Sequence, residues 1–208
     1  MQLVSSRRLV GSTLVLGALT LGSTIVGVSA ASTPSAAATA TPQKTVTASR
    51  ITRRAGTLAP GTKVSSADLR QRVFTDAKHG FALASVGQAQ YPAATGNGGT
   101  TWKTDGPALH IDAAQAPLSV VNIGAASRKT VFAYGSGQVI DTTSDGGTNW
   151  YGALFNGLVM AVVPGSGGHL VAFVDGTTSG VNSSGVTRQY VSKNGGRSWR
   201  YDTTVGGS

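Results

Sequence analysis

Three eight-residue segments constrain this chain more than anything else in it. They read Thr95-Gly-Asn-Gly-Gly-Thr-Thr-Trp102, Thr143-Ser-Asp-Gly-Gly-Thr-Asn-Trp150 and Ser192-Lys-Asn-Gly-Gly-Arg-Ser-Trp199. All three tryptophans of the chain end such an octet, at spacings of 48 and 49 residues. A fixed period of that length means that one supersecondary unit is stacked several times, each copy burying what its neighbour exposes.

The octet is legible as a tight hairpin connection. The Asp or Asn in third place can accept hydrogen bonds from amides just downstream. The Gly-Gly pair admits positive φ at little cost. The Ser or Thr in first place adds a hydroxyl to the same network. The Trp emerges on the next strand, where it can bury ~150–250 Å². Upstream of each octet lie further short runs of β-branched and aromatic residues bounded by turn formers. They are 72–75 and 81–85 in the first repeat, 119–123 and 130–134 in the second, and 159–163 and 169–174 in the third. A run leading into the octet and the Trp run itself complete four short antiparallel strands per repeat. That is the make-up of a propeller blade. The sequence therefore predicts an all-β fold of about three four-stranded blades, near 70–106, 117–154 and 157–204. Closed propellers usually have about four to eight blades, so the expectation is a partial or open one, unless the amino-terminal stretch supplies further strands or chains associate to complete a ring.

The pattern Ser/Thr-x-Asp-x-Gly-x-Thr-Trp resembles the Asp-box, or bacterial neuraminidase repeat, found in sialidase-like propellers and in the photosystem II assembly factor family. The stretch 74–82, FTDAKHGFA, looks most like the latter. The resemblance covers about residues 73–204, with Asn97 and Asn194 standing where Asp is usual. It implies that the octets are structural and lie on an outer rim away from any ligand. Thr95, Asn97, Gly99, Trp102, Thr143, Asp145, Gly147, Trp150, Ser192, Asn194, Gly196 and Trp199 are accordingly read as scaffold.

Composition matters at the amino-terminal end. Arg7 and Arg8, an apolar run from Leu9 to Val28 and small residues at Val28-Ser29-Ala30 read as a secretory signal peptide over 1–30. This segment would touch the membrane only before cleavage, leaving a secreted or cell-surface protein. There is no cysteine, so neither a disulfide nor a lipidated cysteine can hold the exported chain. Residues 31–68, rich in Ala, Thr, Ser and Pro, are expected to form a disordered linker, with the folded domain over 69–208. Between residues 31 and 72 seven basic side chains face the single acid Asp68, whereas beyond residue 72 eight face seven aspartates. The basicity thus belongs to the leader and the linker, and nothing in the body signals nucleic-acid binding. Arg50, Arg53 and Arg54 are read as a solvated cluster on that linker.

The enzyme reading is constrained by the complete absence of glutamate. Sialidases need a Tyr–Glu nucleophile pair, and a generic glycosidase needs two flanking carboxyl groups, which here would have to be aspartates. His79, His110 and His169 lack metal-ligand spacing, and no cofactor motif is present. The expected function is a non-catalytic exported binding or assembly module for a glycan or protein at the cell surface. The alternative is a secreted sialidase-like glycoside hydrolase. If the octets share one end of each blade with the first turn, Asp105, His110, Asp112 and Asp175 fall on the opposite end and form a candidate ligand site. Open blade edges also invite association into homo-oligomers.

Overall fold

The computed structural model describes residues 41–111, 122–135, 137–176 and 186–205. The signal peptide read over residues 1–30, the first part of the linker and Asp112 lie outside the described residues. Among the described residues there are strands, turns and two short 3-10 turns, at Ser66–Asp68 and Ser166–Gly168.

Three strands precede the repeats: β1 (Thr45–Thr47), β2 (Ser49–Arg50) and β3 (Lys63–Val64). The first repeat then folds as β4 (Leu69–Phe74), β5 (Gly80–Val86), β6 (Ala89–Thr95) and β7 (Trp102–Thr104). The second is β8 (Asn122–Ala125), β9 (Val131–Tyr134), β10 (Val139–Thr143) and β11 (Tyr151–Leu154). The third is β12 (Val159–Pro164), β13 (Leu170–Asp175), β14 (Thr187–Ser192) and β15 (Ser198–Val205). Within each repeat neighbouring strands pair antiparallel in sequence order, giving three separate blade-like sheets.

Each sheet has five strands, one more than the repeats account for. The fifth comes from the segment expected to be a disordered linker. β3 pairs with β7, β2 with β11 and β1 with β15, so one stretch of chain runs across the outer edges of all three sheets. Averaged composition hid these strands because each contributes very little. One apolar side chain suffices when a neighbouring edge already offers the backbone ladder. Val46 lies opposite Trp199 and Val64 opposite Trp102, while the amide of Ile51 donates to the carbonyl of Trp150 at 2.8 Å. All three apolar side chains are buried. The binding extends to residue 41, since the carbonyl of Thr41 and the side-chain oxygen of Gln43 both accept from Asn156. In the basic cluster, Arg53 is tied down by donating to the Thr57 carbonyl at 2.7 Å.

The strand period of two then decides what faces what. Counting from the octet, Phe81, Phe132 and Val171 are equivalent, as are Leu83, Tyr134 and Phe173. Phe81 and Leu83 of sheet one pack on Ile123, Val131, Ala133 and Trp150 of sheet two. Phe132, Ile140 and Phe155, from sheet two and the link after it, pack on Val162, Leu170, Ala172, Tyr190 and Trp199 of sheet three. The sheets therefore stack in order. The other face of sheet one, which carries Val64, Leu69, Ala82, Ala84, Tyr91, Ala93 and Trp102, is buried with Leu58 and Ala108 packed against it from off the sheet. Leu58 is held there by its amide, which donates to the Tyr91 hydroxyl at 3.2 Å.

Candidate functional site

The octets close by one repeated network. The hydroxyl of residue one donates to the side-chain oxygen of residue three at 2.9, 2.9 and 3.0 Å. The amide of residue five donates to that hydroxyl, and the amide of residue seven to the residue-three oxygen. The Gly-Gly pairs have matching φ, +69° and +88° in the first octet and +73° and +92° in the second. The change between Asp and Asn in third place is compensated within the same turn. Asn97 donates to the Thr101 hydroxyl and Asn194 to that of Ser198, whereas Asp145 accepts from Asn149 at 2.7 Å. The donor passes from residue three to residue seven, an exchange readable in the sequence once the two positions are compared. The octet also meets the first turn of its sheet, Gly98 donating to Lys78 and Gly146 to Lys129. Asp76 links the rims of sheets one and two by accepting from His79 and from Arg128, the latter at 2.8 Å. These partners hold its carboxyl well below the ordinary range.

Of the residues nominated as a ligand site, Asp105 and His110 lie against different parts of sheet two. Asp105 is not at the end opposite the octets; its carboxyl lies against Gly147 of the second octet, whose Cα leaves no room for a Cβ there. The backbone carbonyl of Asp105 accepts the indole N–H of Trp150 at 2.8 Å, which draws the link onto sheet two. Burial, reinforced by the charge of Asp145, pushes the Asp105 carboxyl up to about 7. Loop lengths placed Asp105 correctly in a link but could not show that this link folds back over the next octet.

His110 marks a second locus, where it meets a residue that sequence reasoning passed over. Its amide donates to Oδ2 of Asp141 at 2.6 Å, and its Nδ1 stands 4.0 Å from Oδ1. Asp141 is fully buried in the middle of β10, and burial raises its carboxyl to about 7 against the opposing amides of His110 and Ile111. Burial, then the nearby Arg54 charge, lowers the His110 imidazole. The signal available in the sequence was the aspartate two places before Thr143, where the other repeats carry Ala93 and Tyr190. Asp175 lies at the far end of β13, where its amide donates to the Leu158 carbonyl. Beside it the buried guanidinium of Arg188 donates to the carbonyls of Asn156 and Gly176. These contacts serve the joints between sheets: the Asp105 carbonyl, the Asp141 carboxyl and the Arg188 guanidinium each hold a connecting segment against a sheet.

The accessible feature lies on sheet three. Val163, Val171, Phe173 and Val191 occupy the register positions that in sheet one are Val73, Phe81, Leu83 and Ala94. In sheet one these residues press on sheet two, and Phe81 and Leu83 are buried. In sheet three Val163 is 47% exposed, Met160 beside it is 57% exposed, and Val171, Phe173 and Val191 are only half-buried. Toward β15 the same side opens into a groove of about 830 Å³ lined by Val191, Lys193, Arg200 and Asp202. Gln189 donates to Asp202 across it at 2.8 Å. The result is an apolar patch with a charged margin, a composition typical of interaction surfaces.

No protein-family model matches the chain, and no curated protein matches it. A solved structure described as YCF48 bound to D1 peptide is similar at 18% identity and a TM-score of 0.41, over 64% of this chain and 40% of that one. The chain thus spans well under half of that protein's length.

Proposed function

We propose that this chain is a non-catalytic, exported binding or assembly module that engages a protein partner at the cell surface through the outward side of its third sheet. The observation that carries the reading is the exposure of Val163, Val171 and Phe173 at positions whose equivalents in sheet one are in the packed interface. Such a surface gains by covering apolar area, which favours a protein over a glycan. Kinship with Asp-box proteins is part of the proposal and rests on the three octets. Export rests on the basic start, the apolar run and the small residues of the first thirty positions.

Two measurements test it. Amino-terminal sequencing of the protein recovered from the medium or cell surface should begin near Ala31. Binding of the mature chain to a cell-surface fraction should be lost in Phe173→Asp and kept in Thr100→Asp on the rim of sheet one; equal binding by both variants refutes the assignment of the surface.

A sialidase-like hydrolase is the second reading, and one observation favours it. Asp105 and Asp141 carry carboxyl groups held near neutrality, the range suited to a general acid. Asp141 is, however, fully enclosed and bonded to backbone amides, so only Asp105 is reachable. Turnover of fluorogenic glycosides that disappears in Asp105→Asn would favour the hydrolase.

A further inference from the structure

We infer that the partner of the third sheet is a second copy of this chain, docked through the same surface to form a two-fold dimer; this rests on the reading of that side as a binding surface. Two intramolecular interfaces already show what these positions do. Phe81 and Leu83 are buried against sheet two, and Phe132 packs against sheet three. Val171 and Phe173 continue the same series on sheet three, so the natural cover for them is another β-sheet presenting apolar side chains at the matching spacing.

The chain itself restricts which sheet that can be. The outer side of sheet one is already buried, with Ala82, Ala84 and Ala93 fully enclosed and Leu58 and Ala108 packed against it from off the sheet, so it cannot receive sheet three of a neighbour in head-to-tail fashion. That leaves sheet three against sheet three, an isologous contact that closes at two chains rather than growing into a filament. The charges agree with this symmetry. Lys193, Arg200 and Asp202 lie at one margin of the patch. With the two-fold axis lying in the interface and running across the strands, β15 faces β15. Arg200 of each copy then lies toward Asp202 of the other. Opposite charges that meet in this way fix the orientation in which apolar stripes pack.

The test uses the mature chain and exploits its lack of cysteine. Sedimentation equilibrium between about 1 and 100 µM, the range in which a dimer of micromolar Kd assembles, should give the mass of two chains. Phe173→Asp should weaken association at least about 30-fold, as expected for a central apolar anchor, with an unchanged circular-dichroism spectrum. The thiol of Val171→Cys should become shielded from labelling as the concentration rises through that range, and that of Thr100→Cys on the rim should not. A monomer at 100 µM overturns the dimer. In that case fast thiol labelling of Val163→Cys would keep the binding surface open for a different protein, whereas a shielded thiol would overturn both readings. A dimer whose mass is indifferent to Phe173→Asp also overturns the inference, because the contact then lies elsewhere.

Discussion

Shortening one valine in the amino-terminal segment discriminates between a tether and a structural strand. Val46 is 4% exposed and faces Trp199, whose indole is fully buried, while Thr45 and Thr47 on either side point to solvent. Val46→Ala removes two carbons, worth about 0.8 kcal/mol each in transfer free energy, and the hole beneath a rigid indole adds to this, for a total of about 2 kcal/mol. In a domain of this size each kcal/mol lowers Tm by ~2–4 °C, so the melting midpoint should fall by about 4–8 °C. Val46→Asp places a carboxylate under Trp199 without a partner and should cost more than ~3 kcal/mol, releasing β1 from β15. Thr47→Ala is the matched control and should change stability by less than ~0.5 kcal/mol. Urea and thermal unfolding of the mature chain give these values. Amide exchange at Ala48, which donates to the Arg197 carbonyl at 3.0 Å, reports the strand directly. Equal effects of Val46→Ala and Thr47→Ala, or an unshifted Val46→Asp, would refute the strand and return residues 41–50 to a tether.

Three further outcomes follow from the joints. Gly147→Ala should cost about 2–4 kcal/mol, because φ of +92° strains any side chain and its Cβ would displace the Asp105 carboxyl; chemical denaturation measures it. Trp150→Phe should destabilise more than Trp199→Phe by about 1 kcal/mol, since Trp150 donates to Asp105 while the Trp199 N–H has no hydrogen-bond partner among the described residues. The folded state keeps Asp141 protonated up to about 7, where the unfolded chain releases that proton near 3.8. Stability should therefore decline as pH rises from about 4 to about 7. Calorimetry at pH 5 and 8 should show a smaller decline in Asp141→Asn, with Asp105 supplying the rest. Asp76 acts in the opposite sense and sets a loss only below its ordinary value of 3.8.

Much of the candidate surface was readable in principle but required the register. Placing Phe173 beside Leu83 in the alignment is trivial once Ser192 is known to pair with Leu170 and Thr95 with Gly80. Strand pairing has a period of two, and an error of one residue would have turned every one of these side chains to the wrong side. The nominated Asp105 and His110 failed to assemble for a related reason. Connecting segments carry no periodic pattern, so nothing local says over which neighbour they fold.

By itself the sequence determined the repeating unit. The hydroxyl, the Asp or Asn, the paired glycines and the Trp interact within eight residues, and such short-range geometry needs no knowledge of the rest of the chain. Tertiary structure alone decided that residues 45–64 lend an edge strand to every sheet, that Asp141 is walled in beneath His110, and that among the described residues the outer side of sheet three is left partly exposed. Each of those outcomes joins residues tens to more than a hundred positions apart, where partners are chosen by competition for buried area rather than by neighbours in sequence.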